Sequence, residues 1–137
     1  MFVTVFYGIL NLATGEIEYV NGGHNPPYIL TDNNVKKVEM TGGTILGCMD
    51  DFVYSSKKVR LNPGDLIFLF TDGVTEAFNA QEEMYGDERL VAFLQDHHAL
   101  PVDEIVKESN RAVFQFSAGI PQSDDITLLS IRYQEPH

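Results

Sequence analysis

The sequence predicts an α+β domain in which antiparallel β-sheets carry packed helices, and three features point there. The first seventy or so residues are a succession of short β-branched, aromatic or alternating runs divided by Gly, Asn and Pro clusters. Two stretches with helical spacing of apolar residues follow, between Asp87 and Phe116. One more alternating run then returns near the C-terminus.

Taken in order, Phe2 to Leu10 is β-branched and aromatic and reads as a strand buried on both faces. Ala13-Thr14-Gly15 is turn chemistry, and Glu16 to Val20 alternates polar with apolar, as the second strand of a hairpin does. Asn21 to Pro27 is a dense turn cluster. Tyr28 to Leu30 resumes extended chain, Thr31 to Asn34 turns it, and Val35 to Met40 makes a short strand. Thr41 to Gly47 is glycine-rich but lacks the spacing and the Lys-Ser/Thr of a phosphate-binding loop. Phe52 to Leu61 is the next strand candidate, closed by Asn62-Pro63-Gly64-Asp65 in a sequence suited to a type II turn. Leu66 to Thr71 is the strongest core strand.

Beyond Asp72-Gly73 the pattern turns helical for Val74 to Phe78. Asp87 is placed to cap a helix reaching about His97, with Leu90, Val91 and Leu94 on one face. A longer helix starts at Pro101, has Asp103 and Glu104 favouring its N-terminal dipole, and aligns Val102, Ile105, Val106, Val113 and Phe116 in one stripe. That stripe is core. Ser117 to Gln122 is a loop, and Ile126 to Tyr133 is the final strand.

Composition narrows the function classes. Nine Lys and Arg against twenty Asp and Glu give a net charge of -11, which repels nucleic-acid phosphates and anionic membrane surfaces, so neither is an expected partner. The single cysteine, Cys48, excludes an intrachain disulfide, a thiolate zinc site and a CxxC redox pair, and suits a reducing cytoplasm. No apolar run is long enough to span a bilayer, and Met1 does not open a signal-peptide pattern.

Chemistry concentrates in two places. Leu66 to Phe70 is an apolar strand that delivers Asp72 near its end, where Gly73 lets the chain turn sharply away. Ser123-Asp124-Asp125-Ile126-Thr127 sets two adjacent carboxylates at the start of the last strand, where alternation would aim only one of them into a given site. Each motif alone is a common turn. Together they suit a hard divalent cation, because neighbouring carboxylates repel unless a cation neutralises them and oxygen-only ligation favours Mg²⁺ or Mn²⁺ over zinc. His24 fits a turn-stabilising role more readily than a phosphate contact or an acid, and Glu76 is divided evenly between an influence on the metal site and a solvent-facing helical residue. His97, His98 and His137 read as solvated, and Thr71 and Thr75 as capping backbone groups.

An ordered set of motifs then resembles a family. Phe2 to Tyr7, Gly23-His24-Asn25-Pro26-Pro27, Gly43 through Gly47, Gly64-Asp65, Thr71 to Ala77, Tyr85-Gly86 and Asp124 to Thr127 are similar to the metal-dependent phosphatases related to protein phosphatase 2C, especially the bacterial SpoIIE and RsbU-like branch. The resemblance implies a β-sandwich with two Mg²⁺ or Mn²⁺ ions that activate a water for in-line attack on phosphoserine or phosphothreonine. It implies that Asp72 and Asp124 are direct metal ligands, with Asp125 and Gly73 beside them and Asp125 acting through hydrogen bonding. It further implies a phosphorylated regulatory protein of the anti-sigma-factor-antagonist type as substrate and an upstream sensor or regulatory domain.

The chain departs from the family at one point. An upstream Asp-x-x-Gly-His-Gly segment is expected, and Gly22-Gly23-His24 lacks the aspartate. Residues 1–137 therefore read as a partial domain, incomplete at the N-terminus and inactive alone, with exposed edges that self-association would cover. A noncatalytic binding module is the alternative. An aspartyl-phosphate enzyme is disfavoured, because Val74 stands where a second aspartate is required and the first half is too strand-rich.

Overall fold

The computed structural model describes residues 3–136, in two antiparallel sheets and a helical layer. The first sheet has strand order β1-β2-β5, with β1 at Val5–Leu10, β2 at Glu16–Gly22 and β5 at Lys57–Arg60. The second has order β4-β3-β6-β7, with β3 at Tyr28–Leu30, β4 at Val35–Lys37, β6 at Leu66–Phe70 and β7 at Leu128–Arg132. Phe2 and His137 lie outside the described residues.

Strand alternation explains the layering. Ile17 and Tyr19 of β2 meet Ile29 of β3, Ile67 of β6 and Tyr133 to form the core between the sheets. Residues of opposite parity, Tyr28, Leu30, Leu66, Phe68 and Phe70, face the helices α2 (Gly86–His97) and α3 (Val102–Ser117), whose Leu90, Leu94, Ile105 and Val113 are buried against them. The strand β6 is thus covered on both faces, as its unbroken apolar run requires.

The structure alters several boundaries. The strand β1 is not buried on both faces: Tyr7 and Ile9 are each 61% exposed, because no described element packs on the outer side of the first sheet. Only Lys57–Arg60 of the stretch from Phe52 to Leu61 pairs as a strand, and only Val35–Lys37 of the stretch to Met40. Tyr85, rather than Asp87, holds the N-cap position of α2. Asp87 instead accepts a 2.8 Å hydrogen bond from the Tyr28 hydroxyl and lies 3.8 Å from the Lys37 ammonium, tying α2 to the second sheet. Pro101 is the N-cap of α3 rather than its first residue.

The end of β6 is locked to the chain entering β7. Phe70 pairs with Leu128, and beyond that register the Thr71 N–H donates to the Thr127 carbonyl at 3.1 Å. The Thr71 hydroxyl donates to the Asp125 carbonyl and accepts the Thr127 N–H, both at 2.9 Å. Thr71 thus caps a neighbouring segment and gives no side-chain cap to the short helix α1 (Asp72–Thr75) that follows it. Gly73 completes the lock. A Cβ there would lie 2.3 Å from the Asp125 carbonyl oxygen, so only glycine lets α1 seat against this backbone.

Two outcomes follow from these contacts. Gly73→Ala is expected to destabilise the fold by about 1–3 kcal/mol in a denaturant titration, since the clash is with backbone that cannot rotate away; an unchanged midpoint would contradict the contact. Burial first, then the hydrogen bond and charge of Asp87, push the Tyr28 phenol well above its ordinary 10.0. The unfolded phenol ionises near 10.0 and the folded one does not, so this stabilisation is whole below that pH and is lost as pH rises through and above it. Tyr28→Phe should therefore show a shallower alkaline loss of stability than the parent, measured as the denaturant midpoint against pH.

Candidate functional site

Antiparallel pairing of β6 with β7 brings the C-terminal end of one beside the start of the other, and with them Asp72 beside Asp124 and Asp125, fifty residues away in sequence. The loop between β2 and β3 adds Gly23, His24 and Asn25, and Thr4 enters just before β1. Together with Thr71 these residues line a cleft of about 210 Å³. One wall carries three exposed carboxylates and the other carries His24 and Asn25. No Lys or Arg lines it.

Each wall is held by local hydrogen bonds. Asp124 Oδ1 accepts the Asp125 N–H at 2.8 Å, and the Gln122 side-chain amide donates to the Asp124 carbonyl. Opposite, Asn21 is only 1% exposed; its Oδ1 accepts the His24 N–H at 2.8 Å and its Nδ2 donates to the His24 carbonyl at 2.9 Å. The Asn21 N–H is itself bonded to the Thr41 hydroxyl at 3.0 Å. Gly23 has φ +76 and sits against Ile45, so the turn that presents His24 depends on a residue without a side chain. The His24 ring is 3.0 Å from the Thr4 hydroxyl through Nδ1.

The structure gathers four of the six residues singled out from the sequence, Asp72, Asp124, Asp125 and His24, into this cleft. Gly73 lies behind it, against the backbone of Asp124 and Asp125. Glu76 does not line it: its N–H closes α1 on the Asp72 carbonyl at 2.8 Å, and its side chain is exposed. The expectation that only one of Asp124 and Asp125 can face a site fails for a simple reason. The strand β7 begins at Leu128, so the pair lies in the preceding loop, where alternation does not apply, and both line the cleft. Sequence reasoning missed Thr4 and Asn21. Asn21 was hidden in a turn cluster although it is the last but one residue of β2, and Thr4 in an apolar run; a polar residue inside each was the available signal.

The donors offered here are carboxylate and carbonyl oxygens, which fit a hard cation such as Mg²⁺ or Mn²⁺ in kind. They fall short in number, since no group of three or more His, Cys, Asp or Glu is arranged to hold a metal ion among the described residues. A larger groove of about 280 Å³ lies on the other side of Gly73, lined by Phe78, Phe114 and Ile120 among others and by no ionisable residue. No helix among the described residues is long and apolar enough to cross a membrane.

Comparison with known proteins agrees with this architecture. The chain is 29% identical over 134 residues to the phosphoserine phosphatase RsbU of Bacillus subtilis, covering 96% of this chain and 39% of RsbU. It is 29% identical over 131 residues to protein IcfG of Synechocystis sp., covering 96% of this chain and 20% of IcfG. The chain thus spans well under half the length of these relatives. Among solved structures, the RsbU and RsbW domains of Rv1364c from Mycobacterium tuberculosis superpose with a TM-score of 0.83 at 27% identity, over 98% of this chain and 37% of that one. The Mn-presoaked phosphatase domain of the cell fate determinant SpoIIE from Bacillus subtilis shares the fold with a TM-score of 0.76 at 20% identity, over 98% of this chain and 58% of that one. Residues 1–134 match the family Stage II sporulation protein E (SpoIIE), and the chain belongs to that family.

Proposed function

We propose that this chain supplies one wall of the active site of a Mg²⁺- or Mn²⁺-dependent serine/threonine phosphoprotein phosphatase. The observation that carries the reading is the meeting of Asp72 with Asp124 and Asp125 in one cleft, on a fold shared with phosphatase domains. Asp72 and Asp124 are the direct metal ligands in this proposal. Asp125 and Gly73 hold them in place, Asp125 through its N–H on Asp124 Oδ1 and its carbonyl on Thr71, and Gly73 by admitting α1 to that backbone. A divalent cation held by Asp72 and Asp124 would supply positive charge to acidify a water and offset the charge of the phosphoryl oxygens.

The substrate in this reading is phosphoserine or phosphothreonine on a regulatory protein of the anti-sigma-factor-antagonist type. The likeness to RsbU and to the RsbU and RsbW domains of Rv1364c supports that partner class. A preceding segment contributes the remaining ligands, and residues 1–137 are a partial domain that does not turn over alone. An upstream sensor or regulatory domain and a cytoplasmic setting complete the proposal. The shortfall in grouped ligands favours a second reading, a noncatalytic module that binds a partner through the same fold.

Mn²⁺ titration of the 137-residue chain, followed by isothermal calorimetry and by paramagnetic broadening of backbone amides, tests the ligand assignment. Weak single-site binding that broadens the amides around Asp72 and Asp124, and that Asp72→Asn or Asp124→Asn each reduces by about tenfold or more, is the expected result. Broadening elsewhere would sink the ligand assignment. Tight two-site binding would instead refute both the partial-domain reading and the noncatalytic one. With the preceding segment supplied, Mn²⁺-dependent phosphate release from a phosphoserine peptide is expected, and its absence would favour the noncatalytic module. Self-association belongs to the same proposal, through the exposed face bearing Tyr7 and Ile9. Sedimentation should then give a mass above 15.4 kDa that falls to the monomer value in Tyr7→Ser/Ile9→Ser.

A further inference from the structure

The cleft is chemically two-sided, with Asp72, Asp124 and Asp125 on one side and Gly23, His24 and Asn25 on the other. A phosphoryl group entering there meets three aspartates on one wall, which repel it unless a cation intervenes, and no lysine or arginine on any wall. Hydrogen-bond donors to its oxygens must come from the remaining lining residues. Thr71 is already committed, its hydroxyl donating to the Asp125 carbonyl and accepting the Thr127 N–H. Thr4 is engaged with the His24 ring, which leaves the loop Gly23-His24-Asn25.

His24 is built in rather than merely present. Its backbone is clamped at both its N–H and its carbonyl by one buried asparagine side chain, with distances of 2.8 and 2.9 Å. Its ring is fixed at Nδ1 by Thr4, 3.0 Å away, which leaves Nε2 as the nitrogen for a ligand. A turn histidine needs only the backbone clamp. The second restraint, on the ring, orients a side chain that itself lines the cleft.

We propose that His24 is a phosphate-binding residue: it donates a hydrogen bond from Nε2 to a phosphoryl oxygen of the substrate, with Thr4 as the positioning residue that sets the ring and Asn21 as the one that sets the backbone. Were a cation held by Asp72 and Asp124 as proposed above, it and His24 would grip the same phosphoryl group from two sides. The inference rests on the assignment of Asp72 and Asp124 to metal binding only for the first of those grips.

The test is a titration of the 137-residue chain with inorganic phosphate in the presence of Mg²⁺, read by ¹H–¹⁵N correlation of the histidine ring nitrogens. The signal of His24, identified by its loss in His24→Ala, should shift saturably with phosphate while those of His97 and His98 do not. Phosphate affinity should fall about tenfold in His24→Ala, as for loss of one hydrogen bond to a charged group, and be partly kept in His24→Gln, which retains a donor. Thr4→Val should weaken it by less, about threefold, with the fold unchanged in backbone spectra. A His24 signal that stays fixed as phosphate binds, equal affinity in His24→Ala and the parent, or no phosphate binding at all, overturns the proposal. Mn²⁺ broadening at Asp72 and Asp124 with a silent His24 would sink this inference alone, whereas a phosphate-responsive His24 without that broadening would sink the metal assignment alone.

Discussion

The site depends on the seam where β6 ends against the chain entering β7. Thr71 makes three hydrogen bonds across it, one through its N–H and two through its hydroxyl, and Gly73 lets the next turn of chain come within reach of the Asp125 carbonyl. Neither residue is a candidate ligand. Their effect is positional: carboxylates from residues 72 and 124 occupy one wall because backbone at 71–73 and 125–127 is stitched together. A strand buried on both faces is a stiff mount, and this one is buried by the second sheet's two neighbouring layers.

That rigidity contrasts with the opposite wall, which rests on a turn. Its order comes from polar bonds to Asn21, a side chain almost wholly removed from water, where an unpaired amide would be costly. The cleft therefore joins two elements held by different physics, hydrophobic burial and strand pairing on the acidic side, a buried amide network on the other. The net charge of -11 gives the acidic side a global counterpart, since it repels any anionic group approaching the surface.

Much of the fold was legible because each element carries its own periodicity. The helix stripes of α2 and α3, the hairpin of β1 and β2 and the apolar run of β6 all follow from local spacing. Extents were less legible. The stretch from Phe52 to Tyr54 has strand composition yet Phe52 packs its ring edge-on to Tyr54 in an unpaired segment, and pairing rather than propensity decides where β5 begins. The exposure of Tyr7 and Ile9 was illegible for a related reason: composition shows that a strand is apolar on both faces, and only the packing shows which face is covered.

The candidate site divides along the same line. The sequence by itself determined the residue types and the family: aspartates after an apolar strand and before another, and motifs in the order of one phosphatase family. Only the tertiary structure decided that Asp72, Asp124, Asp125 and His24 share a cleft, that Glu76 does not, that Thr4 lines it, and that the buried Asn21 holds the His24 backbone from behind. Residue type is a local property, whereas proximity between positions about fifty to one hundred residues apart is set by strand order and register, which no single segment encodes.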